Sequence, residues 1–148
     1  MTARREAWER GAAEFARLET EARMGRFFAE LERATRAPDE EAVHDLRVSI
    51  RRFSQALRIF APLLPGKAVK KIRGRMKVVM DAAAVVRDLD VGMEALAELG
   101  VEAEDAVVVQ MRAERRRGEL FLLGQVCLLR AEDLEEAWRA RLGWSEAG

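Results

Sequence analysis

The chain has 148 residues, and its 26 basic and 26 acidic side chains leave a formal net charge of zero, so its total charge does not direct it toward a polyanion. Its length suits one domain with a sizeable core, and the single cysteine, Cys127, excludes an internal disulfide and a cysteine-based zinc site. Alanine, glutamate, arginine and leucine dominate, tyrosine is absent and only three prolines occur, which predicts helices almost throughout.

The N-terminal residues, MTARREAWERG, are charged and lack the apolar stretch of a cleaved signal peptide. The longest apolar run, residues 120–129, is too short to span a bilayer and is interrupted by Gln125. We therefore predict no membrane partner and a cytoplasmic location. Cys127 lies in this apolar run and is predicted to be a small core residue.

The first predicted helix covers residues 2–36. Its apolar positions are Trp8, Phe15, Leu18, Phe27, Phe28 and Leu31. Arg17, Arg23 and Arg26 are expected on a solvated face, paired with nearby glutamates, and a place in a binding site is the alternative. Pro38 ends this helix and is expected in the first turn of the next one.

The second predicted helix reaches about Ala61 and holds the run VHDLRVSIRRFSQALRIF at residues 43–60. The acids at residues 39–41 complement the positive end of this helix. Helical periodicity predicts a buried seam at Val43, Leu46, Ile50, Phe53, Leu57 and Phe60. Beside the seam it predicts a cationic row of His44, Arg47, Arg51 and Arg58. Like charges rarely stack this way unless an anion lies opposite them.

Arg52 lies about 100° around the second helix from Arg51. It is therefore expected to serve the edge of a groove, a second strand of the ligand or a dimer partner. The prolines at 62 and 65, with Gly66, then predict a firm turn.

The third predicted helix covers residues 67–99 and ends at Gly100. Its core positions are Val69, Ile72, Met76, Val79, Ala83, Val86, Leu89, Met93 and Leu96. A second cationic row shares one face of this helix and consists of Lys70, Arg73, Lys77 and Arg87. In the run VVRDLDV, Asp88 follows Arg87, and a carboxylate there is placed to fix an arginine through a fork-type hydrogen bond. A plain surface pair of little energetic value is the alternative.

A fourth helical region begins near residues 101–105. Arg112 and Arg116, together with Arg115, are predicted to add a third cationic patch. Residues 120–129 are apolar nearly all round and need cover on every side, so we predict a homodimer interface there.

From Ala131 to Leu142 the chain is predicted to continue as helix or to form a short extra one. Trp138, Leu142 and Trp144 are expected to dock this part, and residues 145–148 are predicted to fray. No segment alternates with period two over a useful length. The sequence therefore predicts a single domain over residues 1–148, an all-α antiparallel up-and-down bundle of about four long helices.

Charge is segregated along the chain although its total is zero. Residues 44–80 contain ten Lys or Arg and one acid, whereas residues 88–111 contain seven acids and no Lys or Arg. Two cationic rows on consecutive helices would line a common groove if they face the same side. Because donors recur about every 5 Å along a helix, such a groove suits a linear chain of phosphates better than a single small anion.

Several catalytic chemistries lack their residues in this sequence. His44-Asp45 is similar to the start of a metal phosphohydrolase site, but such a site needs further histidines and His44 is the only one. The serines have no base partner beyond a distant His44, and no glycine-rich phosphate loop occurs. We therefore predict no catalytic residue, no metal and no cofactor. Aromatic residues are not interleaved with the basic ones, which disfavours a nucleic-acid partner.

The run VHDLRVSIRRFSQALRIF and the later RDLDV at residues 87–91 resemble the two signature motifs of CHAD domains, the conserved histidine α-helical domains. The basic segment at residues 63–80 is similar too, so the resemblance covers residues 43–99. It implies a helical module that binds inorganic polyphosphate in a basic groove, often beside enzymes of polyphosphate or triphosphate metabolism. The signature positions that it carries over are His44, Arg47, Arg51, Arg52 and Arg87.

CHAD domains commonly contain two four-helix bundles, whereas this length permits one. Three alternatives follow for this shorter chain: a homodimer rebuilds the double bundle, one bundle binds alone, or the chain is a degenerate relative. Our prediction is non-catalytic polyphosphate binding by His44, Arg47, Arg51, Arg52, Arg58, Lys70, Arg73, Lys77, Arg87, Arg112 and Arg116. The alternative functions are binding of nucleic acid or another polyanion, service as an accessory domain to a polyphosphate-processing enzyme, and a plain helical interaction module.

Overall fold

The computed structural model describes residues 2–131 and 133–144. Its α-helices are α1 (Thr2–Arg36), α2 (Glu40–Ile59), α3 (Gly66–Glu98), α4 (Ala106–Ala131) and α5 (Leu134–Arg141). A 3-10 helix, Ala61–Leu63, joins α2 to α3. No strand occurs within the described ranges, so the all-α prediction is confirmed. The predicted frayed tail at 145–148 lies outside the described residues.

The four long helices pack against their neighbours along the chain. α2 lies against α1 and α3, α4 packs on α3, and α4 closes the bundle against α1. α1 and α2 are antiparallel: Arg33, near the end of α1, pairs with Asp45, near the start of α2, at 2.6 Å. At the opposite end, the ring of Phe15 meets that of Phe60 edge-on, with centroids 6.0 Å apart. The predicted up-and-down bundle is therefore what these helices form.

α5 packs against the bundle through an aromatic cluster. The indole of Trp138 stacks on the ring of Phe27, with centroids 6.0 Å apart and planes 8° from parallel. Phe53 of α2 lies 6.2 Å from the same indole. Trp138, Leu142 and Trp144 are all buried, so the predicted docking of this segment is confirmed.

The apolar segment at residues 120–129 is divided between the core and solvent. Leu122, Val126 and Leu129 are buried, whereas Phe121 and Leu128 are more than half exposed. Cys127 is also exposed, so its predicted place in the core is wrong: it lies one helical step of 100° from buried Val126. Within residues 2–131 and 133–144, no helix is both long enough and apolar enough to cross a membrane.

The start of α2 differs from the expected one. Pro38 was predicted in the first turn, but α2 begins at Glu40 and Asp39 is its N-cap, accepting a hydrogen bond from the Ala42 amide at 2.8 Å. Asp39 satisfies one of the amides that the first turn leaves without an intrahelical partner. Glu40 and Glu41 then lie in the first turn, where acids complement the helix dipole.

We expect Asp39→Ala to lower the free energy of unfolding by about 1 kcal/mol, the usual cost of losing an N-cap side chain. Urea denaturation followed by circular dichroism measures this change. Asp39→Ser is the matched control, because serine caps a helix about as well as aspartate does. Equal destabilisation by serine and alanine would contradict the capping role.

Candidate functional site

α2 separates its buried seam from its cations. Leu46 and Phe53 are completely buried, and Phe60 at the helix end is half-buried. The cations that α2 exposes to solvent are His44, Arg51, Arg52 and Arg58, while Arg47 is half-buried. Because the apolar seam anchors α2 to the bundle, the position of each cation around the helix is fixed.

A groove between α2 and α3, here called the α2/α3 groove, collects three arginines. It has a volume of about 460 Å³ and is lined by Arg51, Ser54, Gln55, Arg58, Ile59 and Arg73. None of these lining residues is acidic. Guanidinium forks bind phosphate oxygens in bidentate fashion, so this groove has the donors that an anion needs and no carboxylate that would repel it.

Arg47 continues the cationic surface toward the start of α2. Burial lowers the pKa of its guanidinium, and the neighbouring Arg51 and Arg87 lower it further, while Asp88 acts in the opposite direction. Its Nε is buried and has no hydrogen-bond partner within the described residues. The fold therefore holds a cation next to two others at an energetic cost, and a bound anion would relieve that cost.

His44 and Arg87 meet in a shallow pocket of about 360 Å³ at this same end. Glu40 and Glu41 line the pocket as well, and Arg87 donates a hydrogen bond to Oε1 of Glu40 at 3.2 Å. The two predicted site residues are thus brought together. Their positive charge is partly balanced by the acids that open α2.

Arg52 faces the other side of α2, in a groove with α1. This α1/α2 groove, of about 560 Å³, is lined by Glu19, Ala22, Arg23, Arg26, Glu30, His44, Asp45, Val48, Ser49 and Arg52. Arg26 pairs with Glu30 at 2.9 Å, and Arg23 pairs with Glu19 at 3.7 Å, as expected of a solvated face. This groove carries both signs of charge, so its lining is less favourable to an anion than that of the α2/α3 groove.

α3 contributes fewer cations to the α2/α3 groove than the helical spacing predicts. Of its predicted row, Arg73 lines that groove and Arg87 lies near Arg47. Lys70 and Lys77 are exposed, and Lys77 donates to Asp81 of its own helix at 2.7 Å. These two lysines lie outside the residues that line the groove.

Within the RDLDV motif, Asp90 and not Asp88 forms the fork-type hydrogen bond with an arginine. The carboxylate of the buried Asp90 accepts hydrogen bonds from Nε of Arg115 at 2.5 Å and from its second terminal nitrogen at 3.3 Å. Arg115 also donates to Glu119 and to the carbonyl oxygen of Pro38. A fork-type pair exists, but between Asp90 and Arg115 and not between Asp88 and Arg87 as expected. It joins α3 to α4, and Arg115 also reaches the α1–α2 connection through Pro38.

The predicted third cationic patch on α4 is not assembled as expected. Arg115 is committed to Asp90, and this hydrogen bond raises the pKa of its guanidinium. Arg112 donates to the carbonyl oxygen of Ala103, and Arg116 is exposed on α4. α4 packs against α3 and α1, whereas α2 lies between those same two helices. Arg112 and Arg116 therefore lie across the bundle from the α2/α3 groove.

Ser54 and Gln55 also line the α2/α3 groove, although the pattern of cations in the sequence does not predict them as site residues. Ser54 is four residues before Arg58 and three after Arg51, so a helical projection of α2 places it on the same edge. Both side chains offer neutral hydrogen-bonding groups beside the arginines. Within the described part of the chain, no three His, Cys, Asp or Glu side chains are grouped so that they could hold a metal ion.

A scan against protein families gives one finding that covers most of the chain. The family model described as CHAD domain matches residues 20–147. The matched segment includes α2, α3 and every residue that lines the α2/α3 groove. Comparisons with curated proteins and with solved structures gave no significant match.

Proposed function

The chain belongs to the CHAD domain family, and from that premise we propose that it binds inorganic polyphosphate in the α2/α3 groove without catalysing a reaction on it. Arg51, Arg58 and Arg73 would grip successive phosphates, and Arg47 would extend the contact toward the start of α2. Arg52 on the far side of α2 serves a ligand that crosses over the helix.

The observation that carries this proposal is the cationic lining of the α2/α3 groove. Its three guanidiniums come from two helices, and no carboxylate lines it. Within the groove, Arg51 and Arg58 lie seven residues apart, about 10 Å along the axis of α2. Outside the groove the row continues through Arg47 to His44, about 21 Å from Arg58 along the same axis. A flexible, regularly charged chain fits such a row better than a compact anion, which would reach only part of it.

Duplex DNA is the second polyanion to consider. Specific DNA binding needs side chains or a helix that reach base edges, and phosphate contacts alone do not read sequence. Arg51 and Arg58 of α2 instead line a groove between two packed helices. A base-free chain can enter such a groove, whereas a duplex is held at its rim.

We expect long-chain polyphosphate to bind more tightly than duplex DNA or pyrophosphate at both about 50 mM and about 200 mM salt. Fluorescence anisotropy competition with a labelled polyphosphate measures this order. All three affinities fall as salt rises, because each ligand releases counterions on binding. Tighter binding of DNA at either salt concentration would contradict the proposal and favour a nucleic-acid module.

The non-catalytic part of the proposal has a separate test. We expect no release of phosphate when the protein is incubated with tripolyphosphate and Mg²⁺, because no nucleophile with a partnered base lies in the groove. Turnover that disappears in Arg51→Ala would contradict it. A role as an accessory domain, delivering polyphosphate to a partner enzyme, is compatible with this mode of binding.

A further inference from the structure

The N-terminal part of α1 extends past the end of α2. α1 has 35 residues and its neighbour α2 has 20, a difference of about 22 Å along the helix axis. In residues 2–18, here called the arm, only Ala16 is buried. The arm also precedes residue 20, at which the family match begins.

The arm has an apolar stripe on its exposed side. Trp8, Phe15 and Leu18 follow one another at i, i+7 and i+10, which places them on one face. They are 76%, 59% and 58% exposed, respectively. The ring of Phe15 also meets that of Phe60 in its own chain, but more than half of each of the three side chains is exposed. An exposed apolar stripe at helical spacing is typical of a helix that packs against another surface.

A complementary surface lies on the opposite side of α3 from the α2/α3 groove. The α3/α4 groove has a volume of about 820 Å³, and its lining residues are Val78, Asp81, Ala82, Val85, Asp88, Leu89, Glu114, Arg117, Gly118 and Phe121. Val78, Val85 and Phe121 are about half exposed. A groove between two packed helices is where the side-chain ridges of a third helix fit.

The groove lining has a small excess of negative charge and the arm a small excess of positive charge, after the pairs Lys77–Asp81 and Arg5–Glu9 are taken into account. The lining of the α3/α4 groove contains three acids and one arginine. The first half of the arm, residues 2–11, contains three arginines and two glutamates. Arg4 lies one turn before Trp8 on the same face, so a helix that seats Trp8 over the apolar floor brings a cation to the acidic rim.

We propose that the arm of one copy of this chain packs into the α3/α4 groove of a second copy, and that the second copy returns the contact. The arm cannot fold back onto its own α3/α4 groove, because it continues α1 as one unbroken helix and α1 packs against α2 and α4. Because the second copy returns the contact, the proposed exchange closes as a two-fold dimer instead of continuing as an open chain. The inference is independent of polyphosphate binding.

Sedimentation velocity over a range of concentrations tests the assembly. We expect the full chain to dimerise, and Trp8→Glu and Phe121→Glu each to weaken dimerisation by about tenfold or more. Combining them should weaken it little further, because both residues belong to one contact. Leu99→Glu is the matched control: Leu99 is 79% exposed and lies on neither surface. A wild-type monomer at about 100 μM would overturn the proposal.

Cross-linking tests which surfaces meet. In a Cys127→Ser background, which removes the exposed native thiol, Gly11→Cys labels the arm and Val85→Cys labels the groove. A side chain at Gly11 has open space around it. Mixing the two variants with a short bismaleimide should give a cross-linked pair of the arm variant with the groove variant. Cross-linking confined to either variant with itself would show a different contact and overturn the proposal.

Discussion

The double substitution Arg51→Ala, Arg58→Ala is expected to weaken polyphosphate binding by about 100-fold. Both guanidiniums line the α2/α3 groove. A hydrogen bond to a charged group contributes about 1.5–3 kcal/mol, and 1.4 kcal/mol is a factor of ten in affinity. Isothermal titration calorimetry with polyphosphate of defined length measures the loss. Folding should be unaffected or slightly favoured, because both side chains are exposed and their removal reduces repulsion within the cationic row.

The charge-matched control for this experiment is Arg112→Ala combined with Arg116→Ala. It removes the same number of positive charges, two, but from α4, which lies across the bundle from the groove. If binding depended on general attraction between a polyanion and a cationic surface, the two double variants would weaken it equally. A local site predicts that the α4 variant keeps most of the affinity. Equal losses would remove the α2/α3 groove from the proposal.

We expect Asp90→Ala to lower the free energy of unfolding by about 3 kcal/mol. Breaking one side of a buried ion pair typically costs about 3–5 kcal/mol, since the remaining charge stays buried. The side chain of Asp90 is 7% exposed and that of Arg115 is 18% exposed. Arg115 keeps Glu119, at 2.9 Å, as a second partner, which places the expected cost at the lower end of this range.

Guanidinium-induced unfolding of the variants measures that cost. Asp81→Ala is the matched control, because Asp81 pairs with Lys77 on the surface of the same helix and exposed pairs contribute about 0–1 kcal/mol. The double variant Asp90→Leu, Arg115→Leu should be more stable than the sum of its single changes, since it leaves no unpaired buried charge. If Asp90→Ala is no worse than Asp81→Ala, the pair does not hold α3 to α4.

The two predictions concern residues of two kinds: the role of Arg51 and Arg58 can be inferred from the sequence, whereas that of Asp90 cannot. The row of Arg51 and Arg58 is visible in the sequence, because a helix fixes the angle between residues in one segment. The apolar seam beside the row then identifies which side faces out. For the same reason the extents of the four long helices agree with those expected from periodicity, turn residues and caps, within the few residues by which helix ends vary.

The role of Asp90 could not be predicted from helical periodicity. Its neighbour Asp88 was the expected partner of an arginine, since it adjoins the signature residue Arg87. The angle of 200° between Asp88 and Asp90 puts them on opposite sides of α3. Only the packing of α3 against α4 determines that Asp90 is the inward one and that Arg115 lies opposite it.

The cations of α3 also show the difference between what helical spacing predicts and what helix packing decides. Lys70, Arg73 and Lys77 lie on one helical face, so their spacing alone predicts that all three line the groove. The placement of α3 beside α2 puts Arg73 in the lining of the groove that Arg58 also lines, and leaves Lys77 exposed beside Asp81. A shift of α3 by part of a turn would exchange these roles, and no pattern within α3 specifies that shift.

By itself, the sequence determined the all-α class, the helix extents, the buried seam of α2 and the cationic row beside it. These are properties of single segments, and the period of the helix and the local chemistry of caps and turns fix them. The tertiary structure alone decided which cations share a groove, which acid pairs with Arg115 and that most of the arm is exposed. Each of these joins residues far apart in the chain, whose relation is set by how whole helices pack.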